Sequence, residues 1–492
     1  MTSRSRTVLL VVLLGVFSFA LMQSLINPVL PQLQRELGTT PDLITWVVTA
    51  FLLSASVFTP ILGRMGDQYG KDRMLVLALT ALAVGSLVSA LATDITLMIV
   101  GRSIQGIGGS VLPLAFGILR DEMPREKIPS TIGLASALVA VGGGIGIVLS
   151  GPLNDLLGLR ALFWVPMALT AVAATAARLV VPPSPTRSSG RINWISSLLM
   201  ASWLLTLLLP LTQASRWGWG SARVIGLLIA AAVLAAGWVI TENRSKSPLV
   251  DMRMMQLPAV WTTNLVSLLM GMGLYSVFGF MPAFVQSSPA GGYGFAASVT
   301  EAGLLLLPMT VTMFLAGLMA ARLVALLGAR AVLAASAALN TVALMMLAFQ
   351  HDHVWQVIVA MLILGVAFGS AVSTMSNVIV AAVRPDQTGI ANGVNANVRT
   401  IGGALGAALM GGLISADLGA NGLPTENGYL LGFAALALAS LGSVLAALLI
   451  PKPRTSEQQR QDPVLASESV GHKTDLGRPK SHGDDDYGDV RL

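Results

Sequence analysis

Gly63-Arg64-Met65-Gly66-Asp67-Gln68-Tyr69-Gly70-Lys71-Asp72-Arg73 is a charged, glycine-bearing stretch set between two long apolar runs. The runs, 43–62 and 74–92, are each close to the roughly 20 residues a helix needs to cross a bilayer. Glycines in the stretch permit a tight turn and close helix approach. Asp67 can sit at a helix N-terminus or pair with an arginine of the loop. Charges so placed can lock helices in one arrangement and release them in another.

Outward from this stretch the pattern repeats. Apolar runs at 7–27, 43–62, 74–92, 95–118, 131–154, 161–181, 193–212, 221–241, 259–285, 299–321, 331–350, 354–382, 389–415 and 429–450 predict fourteen membrane helices. The first run, Thr7 to Ile26, exceeds the roughly 7–15 residues of a secretory h-region, so a retained span is expected. Composition agrees. Of 492 residues 54% are hydrophobic and 11% charged, against about 25% charged in soluble domains. Mean hydropathy is +0.74. There are no cysteines, which excludes disulfides and thiolate metal sites. The histidines are His351, His353, His472 and His482, in a short loop and a polar tail, so no metal site or cofactor is expected. The net charge of +6 needs no nucleic-acid partner, because cytoplasmic loops are positively biased. With an even number of spans, both termini share a side. That side takes nearly all of the 30 Lys and Arg. Only Arg35, Arg160, Arg216 and Arg223 fall on the other, and Arg102 and Arg399 fall inside spans. The bias predicts cytoplasmic termini. The tail, 451–492, is polar and is expected to be disordered.

Two ends of the chain resemble each other at an offset of about 260 residues, a repeat typical of transporters that hold substrate between two halves. Val141-Gly142-Gly143-Gly144-Ile145-Gly146 aligns with Ile401-Gly402-Gly403-Ala404-Leu405-Gly406, and Arg64 and Gly70 align with Arg322 and Gly328. The expected organisation is a six-helix bundle at 1–181, an inserted two-helix linker at 182–258, a second six-helix bundle at 259–450, and the tail.

Several intramembrane positions invite a functional reading. Arg102 lies about 10 Å inside span four at 1.5 Å per residue. An arginine there is costly. It is expected to face the cavity and seek Gln105, carbonyls or polar groups of span one, or else to snorkel to the surface. Gly142, Gly143, Gly146, Gly151 and Pro152 give span five a thin face on which helices pack closely. In span thirteen Asn392, Asn395 and Arg399 are spaced three and four apart and share a face. They read as a polar cavity wall or as interhelical hydrogen bonding. Gln23 and Asn27, spaced i, i+4, would share another face. Asn264 and Tyr275 complete the candidate cavity. No span carries a central carboxylate. Glu301, at the start of span ten, comes closest.

The opening stretch resembles the signature loop of the major facilitator superfamily, G-x-L-x-D-r-x-G-r-[KR]-x-[KR]. Gly63, Asp67, Gly70, Lys71 and Arg73 fall on its positions, and Met65 replaces the usual leucine. Arg102, Gln105, Gly106 and Gly108 match the superfamily's fourth-helix motif, whose arginine is implicated in proton coupling. The glycine run resembles its antiporter motif, except that Ile147 follows Gly146 where proline is expected. Trp217-Gly218-Trp219, Glu242-Asn243-Arg244 and Asn397-Val398-Arg399-Thr400 resemble the fourteen-helix drug:proton antiporter subfamily. Relatives often carry an aspartate in span one, where this chain has Met22.

The resemblance implies a non-enzymatic, multi-pass transporter of a bacterial cytoplasmic membrane, working as a monomer by alternating access. The proton gradient would drive efflux of small, largely apolar organic compounds, drugs or antibiotics. The alternative is a dedicated exporter of one natural product. Asp67, Lys71 and Arg73 would gate. Arg102, with Glu301 or Asp67, would couple protons. Without a deep carboxylate, neutral, zwitterionic or anionic compounds fit better than dicationic drugs.

Overall fold

The computed structural model describes residues 3–44, 46–184, 193–245, 248–289, 292–384, 387–417 and 424–451. The expected disorder of the tail concerns residues that lie almost wholly outside this set. Met1–Ile450 forms one compact unit. Among the described residues it holds fourteen helices long and apolar enough to cross a membrane. We label them α1 (Ser3–Leu25), α2 (Trp46–Tyr69), α3 (Lys71–Ala90), α4 (Ile95–Glu122), α5 (Ile128–Leu157), α6 (Ala161–Val180) and α7 (Trp194–Trp217). Then follow α8 (Ala222–Arg244), α9 (Pro258–Gln286), α10 (Val299–Leu327), α11 (Ala329–Phe349), α12 (Val354–Ala382), α13 (Thr388–Ala416) and α14 (Glu426–Leu448). A membrane core offers no water to a broken backbone, so each span satisfies its own peptide groups. Midway along α4 a 3-10 turn, Ile107–Ser110, interrupts the helix at its glycines.

The opening stretch is not a loop. Gly63 to Tyr69 continue α2, and α3 begins at Lys71. Gly70 alone makes the link, with φ of 114°, a conformation only glycine adopts freely. The second half repeats this device: Gly328, φ 82°, alone joins α10 to α11. We call the end of the molecule at Gly70 and Gly328 the motif end.

The core divides by halves. One apolar cluster, including Met270, Phe284, Leu344, Phe368 and Phe433, is built almost wholly from residues beyond 258. Another, including Val12, Phe51, Leu79, Leu114 and Ala173, is built from the first six spans. The exceptions mark the seam. Ile147 of α5 sits in the second half's cluster and Val380 of α12 in the first's. Across the seam α2 packs on α13 and α5 on α10. α7 lies against α2 and α13, whereas α8 packs chiefly on α7. Ile225, Ile229, Val233 and Ile240 of α8 are exposed, an apolar face suited to lipid. Glu242 is buried at the end of α8. It accepts hydrogen bonds from Ser196 Oγ (2.5 Å) and the Leu249 amide (2.9 Å), so it ties α7, α8 and the following segment together.

Candidate functional site: a motif-end clasp and a central cavity

Asp67 projects from α2 onto the N-terminus of α13. Its carboxylate is fully buried and accepts the Ile390 amide at 3.2 Å. A negative charge is stabilised there, because the first amides of a helix lack partners and carry the positive end of the dipole. The approach requires glycine on both helices. A Cβ on Gly389 would lie 2.9 Å from Gly63 O, and one on Gly63 would lie 3.0 Å from Gly389 O. Lys71 is fully buried and bonds Asp121 Oδ2 at 2.7 Å. Its own amide donates to Ser184 Oγ at 2.8 Å. Lys71 therefore fastens α3 to α4 within the first half. Arg73 is exposed at the first turn of α3.

Arg120, next to Asp121, reaches across the seam. It donates to Thr388 Oγ1 at 2.5 Å, to Val383 O at 3.0 Å and to Arg384 O at 3.3 Å. A cation thus meets the C-terminal end of α12 while an anion meets the N-terminal end of α13, each matched to the local dipole. In sequence Arg120 is one among many cations on the side expected to be cytoplasmic, and Asp121 beside it carries no motif. The adjacent charges at the end of span four were the available signal, but not their partners. Deeper in, Asn397 Nδ2 donates to Ser56 O at 2.5 Å. A Cβ on Gly393 would lie 3.3 Å from Pro60 Cα. From Asp67 to Asn397, α2 and α13 are in continuous contact, so the motif end is closed.

Arg102 is 1% exposed. Its Nε donates to Val47 O at 2.9 Å and its Nη1 to Gln105 Oε1 at 2.6 Å. Its Cζ lies 4.6 Å from the centroid of the Phe51 ring. Gln105 passes the chain on to Ser86 Oγ at 2.9 Å, and Ser86 meets Met22 Sδ at 3.6 Å. The network that begins at a guanidinium ends on the thioether of Met22. Arg102 is held by a carbonyl, an amide and a ring, and it does not snorkel.

The remaining candidates separate by location. Glu301 is exposed and forms a capping box with Ser298. Its carboxylate accepts the Ser298 amide at 2.8 Å while Ser298 Oγ accepts the Glu301 amide at 3.2 Å. Asn27 is exposed, because α1 ends at Leu25 and Asn27 opens a 3-10 turn, which breaks the face shared with Gln23. Asn395 donates to Asn264 Oδ1 at 2.9 Å, and Asn392 donates to Thr388 O at 3.0 Å. All three are buried; the Asn395–Asn264 bond ties α13 to α9, whereas the Asn392 bond stays within α13. The glycine run has two faces. Cβ atoms on Gly142 and Gly146 would strike α1 at Ala20 and Ser24, whereas one on Gly144 would strike Thr310 of α10 and one on Gly151 would lie 3.2 Å from Thr300 Oγ1. Gly143 faces nothing within 4 Å. Pro152 lies inside α5 and is exposed.

A cavity opens between the halves above the Ser56–Asn397 contact. Gln23 and Phe19 of α1, Phe51 of α2, Tyr275 of α9 and Arg399 of α13 are among its walls. So the structure brings Gln23, Tyr275 and Arg399 together, leaves Gln105, Asn264, Asn392 and Asn395 buried behind the wall, and sets Asn27 apart at an exposed site.

Comparison with known proteins accords with this geometry. The profile of the Major Facilitator Superfamily matches residues 12–291 and 263–473. An uncharacterised MFS-type transporter of Mycobacterium tuberculosis is 28% identical over 81% of this chain, which spans 58% of that protein's length. The Multidrug resistance protein Stp of the same species is 26% identical, covering 83% of this chain and 75% of that one. The tetracenomycin C resistance and export protein of Streptomyces glaucescens is 24% identical, covering 84% and 76%. Among solved structures, the human organic anion transporter MFSD10 shares the fold, with a TM-score of 0.65 at 17% identity over 91% of this chain and all of that one. A motif-end clasp, a cavity between two halves and a profile match spanning both halves lead to one assignment: the chain belongs to the Major Facilitator Superfamily, a family of membrane transporters, among relatives named for multidrug resistance and for tetracenomycin C resistance and export.

Proposed function

We propose that the chain exports small, largely apolar organic compounds, drugs or antibiotics, across a bacterial cytoplasmic membrane, driven by the proton gradient and working as a monomer. The observation that carries this reading is a cavity walled by both halves and sealed at the motif end by Asp67, Gly63 and α13. In this reading the motif end faces the cytoplasm, with both termini. Asp67 holds the closed state only while charged. Protonation removes the negative charge at the α13 N-terminus and favours opening to the cytoplasm. Arg102 transmits the state of the first half to the cavity through Phe51. Glu301 is spent on its capping box, so Asp67 is the better proton carrier of the two. A second reading, a dedicated exporter of one natural product, is favoured by the relative named for tetracenomycin C export.

The test is efflux of ethidium and of a neutral lipophilic dye from cells overproducing the chain, with and without a protonophore. Efflux that collapses with protonophore and in Asp67→Asn and Arg102→Ala, but survives Glu301→Gln, supports the reading. Dye movement indifferent to the gradient would remove proton coupling. Membrane-inserted protein that moves no dye would favour the single-product exporter.

A further inference from the structure

Two arginines lie inside the spans, and their surroundings differ. Arg102 is enclosed and hydrogen-bonded through Nε and Nη1. Arg399 is only half-buried and lines the cavity. No ion pair or hydrogen bond among the described residues engages its guanidinium. The helix around it explains how it is held. The backbone of Arg399 packs directly on Gly271 of α9, where a Cβ would strike Arg399 O and lie 3.1 Å from Arg399 Cγ. The stem is therefore braced by a glycine notch while the head group stays unpaired. An unpaired guanidinium at membrane depth is costly, so such residues mark substrate or ion paths.

The rest of the wall reinforces its charge. Among the described residues that line the cavity there is no aspartate or glutamate. The walls are otherwise aromatic or neutral and polar, with Phe19, Phe51, Tyr275 and Gln23. Phe51 also carries Arg102 over its ring, so a second positive charge stands close behind the wall. Both charges act across low-dielectric surroundings, where screening is weak. Among the described residues Arg399 is the charged group on the wall, and its charge is positive.

We infer that Arg399 is the counter-ion of an anionic substrate. The cavity takes amphiphiles that carry a carboxylate or phenolate on an aromatic body, the head group pairing with the Arg399 guanidinium and the rings resting on Phe19, Phe51 and Tyr275. Guanidinium groups suit this role because their planar donors match a carboxylate and also stack on aromatic faces. Cations of the same size are repelled by the same charge. This inference rests on the export reading for its biological meaning, yet binding alone tests it.

The experiment uses two xanthene dyes of similar size and opposite charge, fluorescein and rhodamine 6G. Equilibrium binding is measured by fluorescence anisotropy on the full-length protein in nanodiscs of zwitterionic lipid, with empty nanodiscs as background. Wild type is expected to bind fluorescein about tenfold or more tightly than rhodamine 6G, the scale of one charge-assisted contact. Arg399→Gln weakens fluorescein by a similar factor and, by lifting the repulsion, strengthens rhodamine 6G. Arg399→Glu reverses the order, and Arg399→Lys keeps most of the wild-type preference. Wild type that binds both dyes equally, or a preference that survives Arg399→Gln, overturns the inference. Should Arg399→Glu fail to yield monodisperse protein, the Gln and Lys variants decide the matter alone. Gradient-driven export of the same dyes from proteoliposomes separates the two readings. Charge-selective binding without any export sinks the export reading and leaves this one. Export of both dyes at a ratio indifferent to position 399 does the reverse.

Discussion

A buried cation is tolerable only where its donors find acceptors, and Arg102 illustrates how specific that demand is. Val47 O, Gln105 and the face of Phe51 take up its planar head. Truncation leaves those polar groups unpaired in an apolar surround, so Arg102→Ala should cost about 2–4 kcal/mol. The expected readout is a lower midpoint in thermal aggregation of detergent-solubilised protein. Arg102→Lys should recover little, because an ammonium cannot reproduce the fork and the stacking together. Arg399→Ala should barely move the same midpoint, since no described partner loses a bond. Equal destabilisation at the two positions would contradict the division between a structural and a substrate-facing arginine. Both arginines were visible in the sequence as charges inside spans. Which was paired was not visible, because Val47 lies 55 residues from Arg102 in the chain.

At the scale of the helix, α5 joins two kinds of interface in one element. Gly142 and Gly146 bed it against α1 in its own half, and Gly144 and Gly151 bed it against α10 in the other. Small residues let helices approach and pack where lipid offers no hydrophobic drive. The consequence is a graded set of substitutions. Gly144→Ala collides with Thr310 and should cost about 1–3 kcal/mol, as overpacking does. Thr310→Ala in the same chain removes Cγ2 and Oγ1 but leaves the Thr310 Cβ in collision, so it should restore only part of the loss. Gly143→Ala meets nothing and should be neutral. Thermal midpoints of the two single variants and of the Gly144→Ala, Thr310→Ala double variant check this. If Gly143→Ala is as harmful as Gly144→Ala, the faces are misassigned. The sequence showed the run of small residues, but a helical repeat alone does not say which neighbour each glycine meets. Ile147 makes the same point. In sequence it blurs a motif, and in the fold it is the side chain by which α5 enters the second half's core.

Across the whole molecule, closure at the motif end rests on contacts between residues far apart in sequence. Asp67 and Ile390 are 323 positions apart, and Arg120 and Thr388 are 268. A chain with no cysteine suits single-cysteine labelling without further engineering. We expect Ala396→Cys, on the cavity wall, to react slowly with an impermeant maleimide presented from the motif end. Adding Gly389→Ala, which forces the backbones of α2 and α13 apart, should raise that rate roughly three- to tenfold by shifting the population toward the opened state. Asp67→Asn should act in the same direction, and Arg73→Gln, at an exposed site, should not. Unchanged rates in Gly389→Ala would show that the α2–α13 contact does not close the path.

Fourteen spans, a glycine-permitted tight turn between the second and third, and the presence of two intramembrane arginines were determined by the sequence alone. Each depends on local properties that accumulate along the chain, namely apolar length, charge and backbone freedom. The tertiary structure decided the rest. It turned the opening stretch into the end of α2, because Asp67 finds its partner on α13 rather than in a loop. It gave Glu301 to a cap, set Asn27 outside the cavity and left Arg399 facing it without a partner. Hydrogen bonds and ion pairs depend on distances of a few ångströms between residues that only the packed helices bring together.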